Sequence, residues 1–337
     1  MILFENYKLC HMPINNLEKR YYSFSILLIM RLILNKKITF IAGKYIYVPI
    51  KSLINIVILF SFAFSEDDYH ESCSIVKDDS RVVIAGGSIT EIFYLLGIED
   101  RIVALDITST YPEEAKKFPS VGYVRMLSAE GLLSMNPSII LGENDMGPPT
   151  VIEQVKKTGI ELKIIPEEKS IPGIIEKIRC VASIMGVSSL AEELINHEYI
   201  EKYNQIKQNH NKVSSKNISA MVIYSMQGTS PIVCGTGESG DAFLKLIGAK
   251  NAFSSFEGWK PASVESIIAN DPDYILVTSR LLKRFSSIEE LKNHPTLSQT
   301  TAAQSDNIIA KDGMAMMGFG PRTLDCALEV SRIISSD

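Results

Sequence analysis

From Arg81 onward, short aliphatic and β-branched runs alternate with segments of helical period, and this constrains the fold of the 337-residue chain more than any other feature. Such alternation is the pattern of βαβ units and mainly parallel sheets. Strands are expected at 81–85, 101–105, 138–141 and 162–165, with helices at 88–96, 128–135 and 151–158 between or after them. Gly86 and Gly87 make the turn after the first strand, and Ser88-x-x-Glu91 has the spacing of a capping box that would open the first helix. From about Ile171 to Val213 no good strand can be drawn. The second half of that stretch, Leu190 through Ile206, has apolar residues at three- and four-residue spacing and predicts one long amphipathic helix. Alternation then resumes with strands at 218–224, 274–277 and 307–310, helices at 240–247, 264–269 and 288–293, and a last helix from Pro321. The fold class expected is therefore α/β: two βαβ lobes with mainly parallel sheets joined by a single long helix, and a ligand cleft between them where strand-end loops face each other.

The first fifth of the chain has a different composition. Of 34 basic and 39 acidic side chains, eight and two fall in residues 1–65, leaving 26 and 37 in residues 66–337, net −11. Lys44 and Lys51 precede an apolar run from Leu53 to Ala63 that ends in small residues before Glu66-Asp67-Asp68. Basic start, apolar centre and small-residue end are the order of a secretory signal, with cleavage expected near Ser65-Glu66. The run is short of the roughly 20 residues that cross a bilayer. An earlier apolar run, Ser23 to Leu34, does not fit one signal of ordinary length, and translation from Met30 or later would leave residues 1–29 untranslated. The expected organisation is a leader at 1–65, an N-terminal lobe at 66–188, an interlobe helix at 189–213 and a C-terminal lobe at 214–337.

An acidic body argues against a nucleic-acid partner, whose phosphates require a basic face. The chain has no phosphate-binding GxxxxGK[ST] loop, no GxSxG elbow and no HExxH, which removes the commonest nucleotide, hydrolase and zinc-protease chemistries. Gly86-Gly87-Ser88 opens a helix where an anion is stabilised, but it lacks the third glycine of a dinucleotide fingerprint, so a tight turn is the simpler reading. No two of the five histidines stand at metal-ligand spacing. Cys73, Cys180, Cys234 and Cys326 are scattered without CxxC spacing, and spacing alone leaves open whether any of them pair. No cysteine stands directly behind the expected cleavage point, which favours a free rather than lipid-anchored mature form.

Four segments carry a family resemblance: Val83-Ile-Ala-Gly-Gly-Ser-Ile-Thr-Glu91, Thr110-Tyr-Pro-Glu-Glu114, Pro119-Ser-Val-Gly-Tyr-Val-Arg-Met-Leu-Ser-Ala-Glu-Gly131 and Gly318-Phe-Gly-Pro-Arg322. Together they resemble the periplasmic heme-binding proteins of bacterial ABC heme importers, within the wider group of cobalamin and siderophore binding proteins, over about 81–335. The resemblance implies a non-enzymatic carrier that takes heme b as its transported ligand and hands it to an inner-membrane permease driven by a separate ATPase. A monomer in the periplasm, and a small hinge movement on binding, are expected. A cobalamin or ferric-siderophore carrier is the rival within the group. A heme-handling or cofactor-dependent α/β enzyme is the rival outside it.

By the same resemblance Tyr123, of the Gly-Tyr motif, is the axial ligand to heme iron. A phenolate is a hard anionic donor suited to Fe(III), and tyrosine is a known heme ligand; taken without the motif, Tyr123 reads as an ordinary loop aromatic. Arg125, two residues on, would add positive charge beside it. Arg322 would pair with a heme propionate, since guanidinium and carboxylate match geometrically; the other reading is an arginine at a helix start. Trp259 and Lys260 are expected to stack on the porphyrin and contact a propionate. Met226 stands nearest to the place where some members carry a histidine, and as a soft thioether it is expected to touch the porphyrin face rather than ligate ferric iron. One five-coordinate heme follows. Glu130 and Glu265 open helices in the two lobes, where the helix dipole alone explains an acid; the resemblance makes them docking points for the permease.

Overall fold

The computed structural model describes residues 72–336. The expectations for the leader, its cleavage point and an internal start lie outside these residues.

The first sheet consists of β1 (Val82–Ala85), β2 (Ile102–Leu105), β3 (Ile139–Gly142) and β4 (Glu161–Ile164), all parallel, in the order β2-β1-β3-β4. Between them run α1 (Gly87–Leu95), α2 (Ala129–Ser134) and α3 (Pro149–Lys156). Strands covered on both faces read as unbroken apolar runs, and side-chain alternation then divides them between two cores. Val82, Ile84, Ile139 and Leu141 face one, and Val83, Ala85 and Ile140 face the other.

After α4 (Ile171–Ile184), α5 (Ser188–Leu194) passes through a π turn at Ile195–Tyr199 into α6 (Ile200–Ser215), forming the long helix the periodicity predicts. The second sheet follows, with β5 (Ser219–Gln227), β6 (Ser230–Cys234), α7 (Ser239–Ile247), β7 (Lys250–Asn251), β8 (Trp259–Pro261), α8 (Val264–Asn270), β9 (Tyr274–Thr278), α9 (Ser279–Leu282), α10 (Ile288–Lys292), α11 (Thr301–Gln304), β10 (Ile308–Lys311), α12 (Gly313–Met317) and α13 (Pro321–Ser336). Its order is β10-β9-β5-β6-β8, with β7 beside β5. The β10, β9, β5 and β7 strands are parallel, whereas β6 runs antiparallel to both of its neighbours, β5 and β8. This sheet is mixed because β5 turns straight back at Gly228-Thr229 into a hairpin instead of crossing over through a helix.

The long helix is not the sole tie between the lobes. One buried apolar cluster runs from Ile84 and Leu141 through Ile178 and Val181 of α4 and Ile206 and Val213 of α6 to Val222 and Leu276 of the second sheet, with Leu324 and Val330 of α13 closing it. Bending one lobe away from the other would expose part of this core, and each large apolar side chain uncovered costs about 1.5–3 kcal/mol. That continuity is a physical basis for a stiff pair of lobes.

One local expectation is corrected, and one question that spacing left open is answered. The capping box does not form, because α1 begins at Gly87; the Ser88 hydroxyl donates instead to Glu143 Oε1 (2.5 Å) and Glu91 meets Arg322. Cys73 and Cys180, 107 residues apart, form a disulfide that pins the segment before β1 to α4. Closing so long a loop in the unfolded chain favours the folded state by about 2–4 kcal/mol. Reductant, or Cys180→Ser, is therefore expected to lower the urea midpoint substantially, with a slope at least as steep as the parent's because the uncrosslinked unfolded chain exposes more surface; equal midpoints would show that the crosslink adds nothing to stability.

Candidate functional site

The first lip of the cleft begins at the carboxyl end of β2. Asp106 is buried there and accepts from the backbone N–H of Gly86 (3.1 Å), from the N–H and hydroxyl of Thr108 (3.0 and 2.7 Å) and from the Ser109 hydroxyl (2.9 Å), which sets the course of the following loop. The loop returns at Gly122, whose carbonyl accepts from Ile107 N–H (2.9 Å) and whose φ of 94° lies in the left-handed region that favours glycine. Beyond it Val124 and Leu127 turn inward into the core, and the Gly147 N–H and carbonyl clip their backbone to the loop after β3. The side chains between these anchors point outward: Tyr123 is 37% exposed and Met126 77%. Arg125 Nε donates to Asp145 Oδ2 (2.7 Å), and that bond, with smaller contributions from Tyr123 and from Glu238 on the opposite lobe, holds its pKa above the usual arginine value. Arg125 is thus held by Asp145 at the surface, two residues from Tyr123.

The opposite wall grows out of β5. Ala220 and Val222 enter the shared core, and Tyr224, next in the same alternating row, emerges 51% exposed beside the register shift between Ile223 and Ser225. Its ring centroid lies 5.6 Å from that of Trp259, at 52°, and Trp259 Nε1 donates to Glu238 Oε2 (3.1 Å). Thr278 Oγ1 at the end of β9 donates to the Tyr224 carbonyl (3.4 Å), and exposed Arg280 follows two residues later.

Two expected contacts do not belong to this wall. Met226 is 7% exposed and packs with Met221 and Ile223 in the core behind the sheet, because the strand turns it away from the face that carries Val222. Lys260 alternates away from Trp259, and its ammonium sits 5.0 Å from the ring centroid of Phe256, which packs against that same rear core. Tyr224, Glu238 and Arg280 were not singled out in the sequence; the alternation Ala220-Val222-Tyr224 was the signal for the first of them.

Arg322 is already engaged. Its Nε and Nη2 donate to Glu91 Oε1 (2.9 and 2.6 Å), Nη2 lies 3.1 Å from Asp312 Oδ1, and the guanidinium stacks 3.9 Å from the Tyr111 ring centroid. Burial pushes the Glu91 carboxyl above its ordinary value, with Arg322 opposing. The cluster ties α1, the end of β10 and the loop after β2 together, and a propionate would have to compete with two carboxylates for it.

The glycine turn is likewise satisfied from within. Gly87 N–H donates to Thr108 Oγ1 (3.0 Å) and Ser88 N–H to Glu143 Oε1 (3.1 Å), so the protein's own groups fill the start of α1. A Cβ at Gly86 would sit 2.4 Å from Glu143 Cγ, so only glycine lets that carboxylate come so close. Burial, opposed by the Lys177 ammonium, pushes Glu143 up to about 7.

Glu130 and Glu265 are exposed in the first turns of α2 and α8, capped by Ser128 (Oγ accepting from Gly131 N–H, 3.0 Å) and Ser263 (Oγ accepting from Ser266 N–H, 3.2 Å). Its own backbone N–H, then the Ser263 hydroxyl, hold Glu265 below the ordinary carboxylate value.

A family model described as periplasmic binding protein matches residues 82–313. The chain belongs to the periplasmic binding protein family. Such proteins are solute-binding proteins rather than enzymes. The solved structure of BhuT, a periplasmic heme-binding protein in complex with two hemes, is 30% identical, with a TM-score of 0.68 over 76% of this chain and 98% of that one. The uncharacterized ABC transporter substrate-binding lipoprotein YvrC of Bacillus subtilis (strain 168) is 23% identical, over 81% of this chain and 85% of its own length. The vitamin B12-binding protein of Pectobacterium atrosepticum is 23% identical, over 58% and 71%. The protein is thus an exported periplasmic binding protein of an ABC transporter.

Proposed function

We propose that this periplasmic binding protein carries heme. The observation that carries the reading is the turn at 122–127, which leaves the Tyr123 phenol exposed with the Arg125 guanidinium two residues on, while the second lobe leaves Tyr224 exposed beside Trp259. A phenolate meets ferric iron, the aromatic wall lies against the porphyrin, and Arg125 and Arg280 are the cations proposed to meet its carboxylates. One heme is held, five-coordinate through Tyr123. Titrating the purified protein with hemin is expected to give a high-spin ferric spectrum that saturates at one equivalent. No change in the Soret region would end the reading, and tight binding of cyanocobalamin in its place would establish the B12 alternative that one relative's name supports.

Glu130 and Glu265, one opening α2 and the other α8, are the docking points for the permease, since charge complementarity steers association and sets register. Reversing both charges to lysine is expected to leave hemin binding unchanged and to abolish uptake through the cognate permease. Undiminished uptake would remove them from that role.

A further inference from the structure

We infer that the cleft recognises the porphyrin ring itself, so that metal-free porphyrins are ligands of this protein alongside heme. The inference rests on the heme reading and specifies which part of the ligand is recognised. On the first lip, Ile107 is 58% exposed, and its N–H bonds to the carbonyl of Gly122, directly before Tyr123. Met126 N–H donates to the Tyr123 carbonyl (2.7 Å), so Tyr123 and Met126 belong to one turn, held from beneath by Val124 and Leu127, with Ile107 in the loop bonded to it. Tyr224 and Trp259 stand on the other lobe. Large apolar side chains left in water at a cleft mouth gain most when a flat apolar surface covers them, and the gain scales with the area covered. A methionine adds adaptable, polarisable contact to an aromatic face. The bond from Tyr123 to iron is a single contact at the ring centre, whereas Ile107, Met126 and Tyr224 are placed to meet the ring faces. Arg125 and Arg280 serve edge carboxylates, which metal-free protoporphyrin also has. None of these contacts requires iron.

Trp259 is the only tryptophan of the chain and belongs to the cleft wall, so its emission reports a porphyrin bound there. The test titrates the purified full chain and the variants Tyr123→Phe and Met126→Glu with protoporphyrin IX and with hemin, following Trp259 quenching. Protoporphyrin IX is expected to quench saturably, to be displaced by hemin, and to bind Tyr123→Phe within about threefold of the parent. Met126→Glu, at an exposed position, is expected to keep the parent's circular dichroism and melting temperature while weakening protoporphyrin IX at least tenfold. Hemin binding without saturable protoporphyrin IX binding would overturn the inference and leave the heme reading standing, as would a Met126→Glu variant that binds both ligands as the parent does. Quenching by neither ligand would overturn both.

Discussion

Replacing Tyr123 with phenylalanine is expected to remove the charge-transfer absorption of a tyrosinate-ligated ferric heme and to weaken hemin binding by on the order of 100-fold or more. Loss of an outer-shell partner already costs metal sites about 10–100-fold in affinity, and in the proposed function Tyr123 touches the metal directly. The substitution deletes one oxygen and keeps the ring. Val124 and Leu127 still anchor the turn, Gly122 still supplies its left-handed φ, and the backbone clip to Gly147 is untouched, so the fold is expected to persist. Measuring hemin affinity by competition with apomyoglobin, together with the visible spectrum, separates the two effects. A variant with the parent's spectrum and affinity would show that iron is ligated elsewhere. Asp145 adds a graded version of the same test: it holds Arg125 by a 2.7 Å hydrogen bond, so that cation is kept beside the phenol.

How far the site could be read in advance depends on the sequence distance over which each feature is encoded. Strands buried on both faces, the long helix at 188–215 and the helix openings at Glu130 and Glu265 are written in neighbouring residues, and the structure has them where periodicity places them. Direction within a strand is also local: Val222 faces the shared core, Tyr224 emerges from that row, and Met226 packs behind the sheet, past the register shift beside Tyr224. Met226 follows a family pattern, and strict alternation would also keep it in the row of Val222 and Tyr224; only the register shift moves it behind the sheet, whereas plain alternation turns Lys260 away from Trp259. Partners were not legible. Ser88 spends its hydroxyl on Glu143, 55 residues away, Arg322 on Glu91, 231 away, and Cys73 on Cys180, 107 away. Each pairing exists because the fold brings together strand ends and helix starts that no local pattern relates. The same distance explains why an arginine at a helix start resembled a free propionate contact: the carboxylate that holds it comes from the first helix of the other lobe.

Lys177→Met is expected to lower stability by about 3–5 kcal/mol near pH 8, the usual cost of stripping one partner from a buried ion pair. The Lys177 ammonium is fully buried in α4, 2.6 Å from Glu167 Oε2 and 3.1 Å from the Ser88 hydroxyl, which in turn donates to Glu143. Methionine fills similar volume, so the loss reports charge rather than a cavity: Glu167 and Glu143 would be left close together without a cation. Acid should partly restore the variant. In the parent, the folded pKa of Glu143 is about 7 against 4.5 as the ordinary value, raised first by burial and next, on the raising side, by Glu167, while Lys177 pulls it down. A carboxyl raised in the fold contributes stability that is fully present below 4.5 and is lost as pH rises through about 7. The parent should therefore gain stability from this group on going from pH 8 to pH 5, by up to about 3 kcal/mol at roughly 1.4 kcal/mol per pKa unit. Without Lys177 the carboxyl is raised further, so the acid gain is larger and begins at higher pH. Glu143→Gln cannot titrate and should flatten the profile between pH 5 and 8. Urea unfolding of the parent and both variants at these two pH values measures all three. Parallel profiles in parent and Glu143→Gln would mean that Glu143 is ionised in the fold throughout, with the buried Lys177 ammonium as its counter-ion.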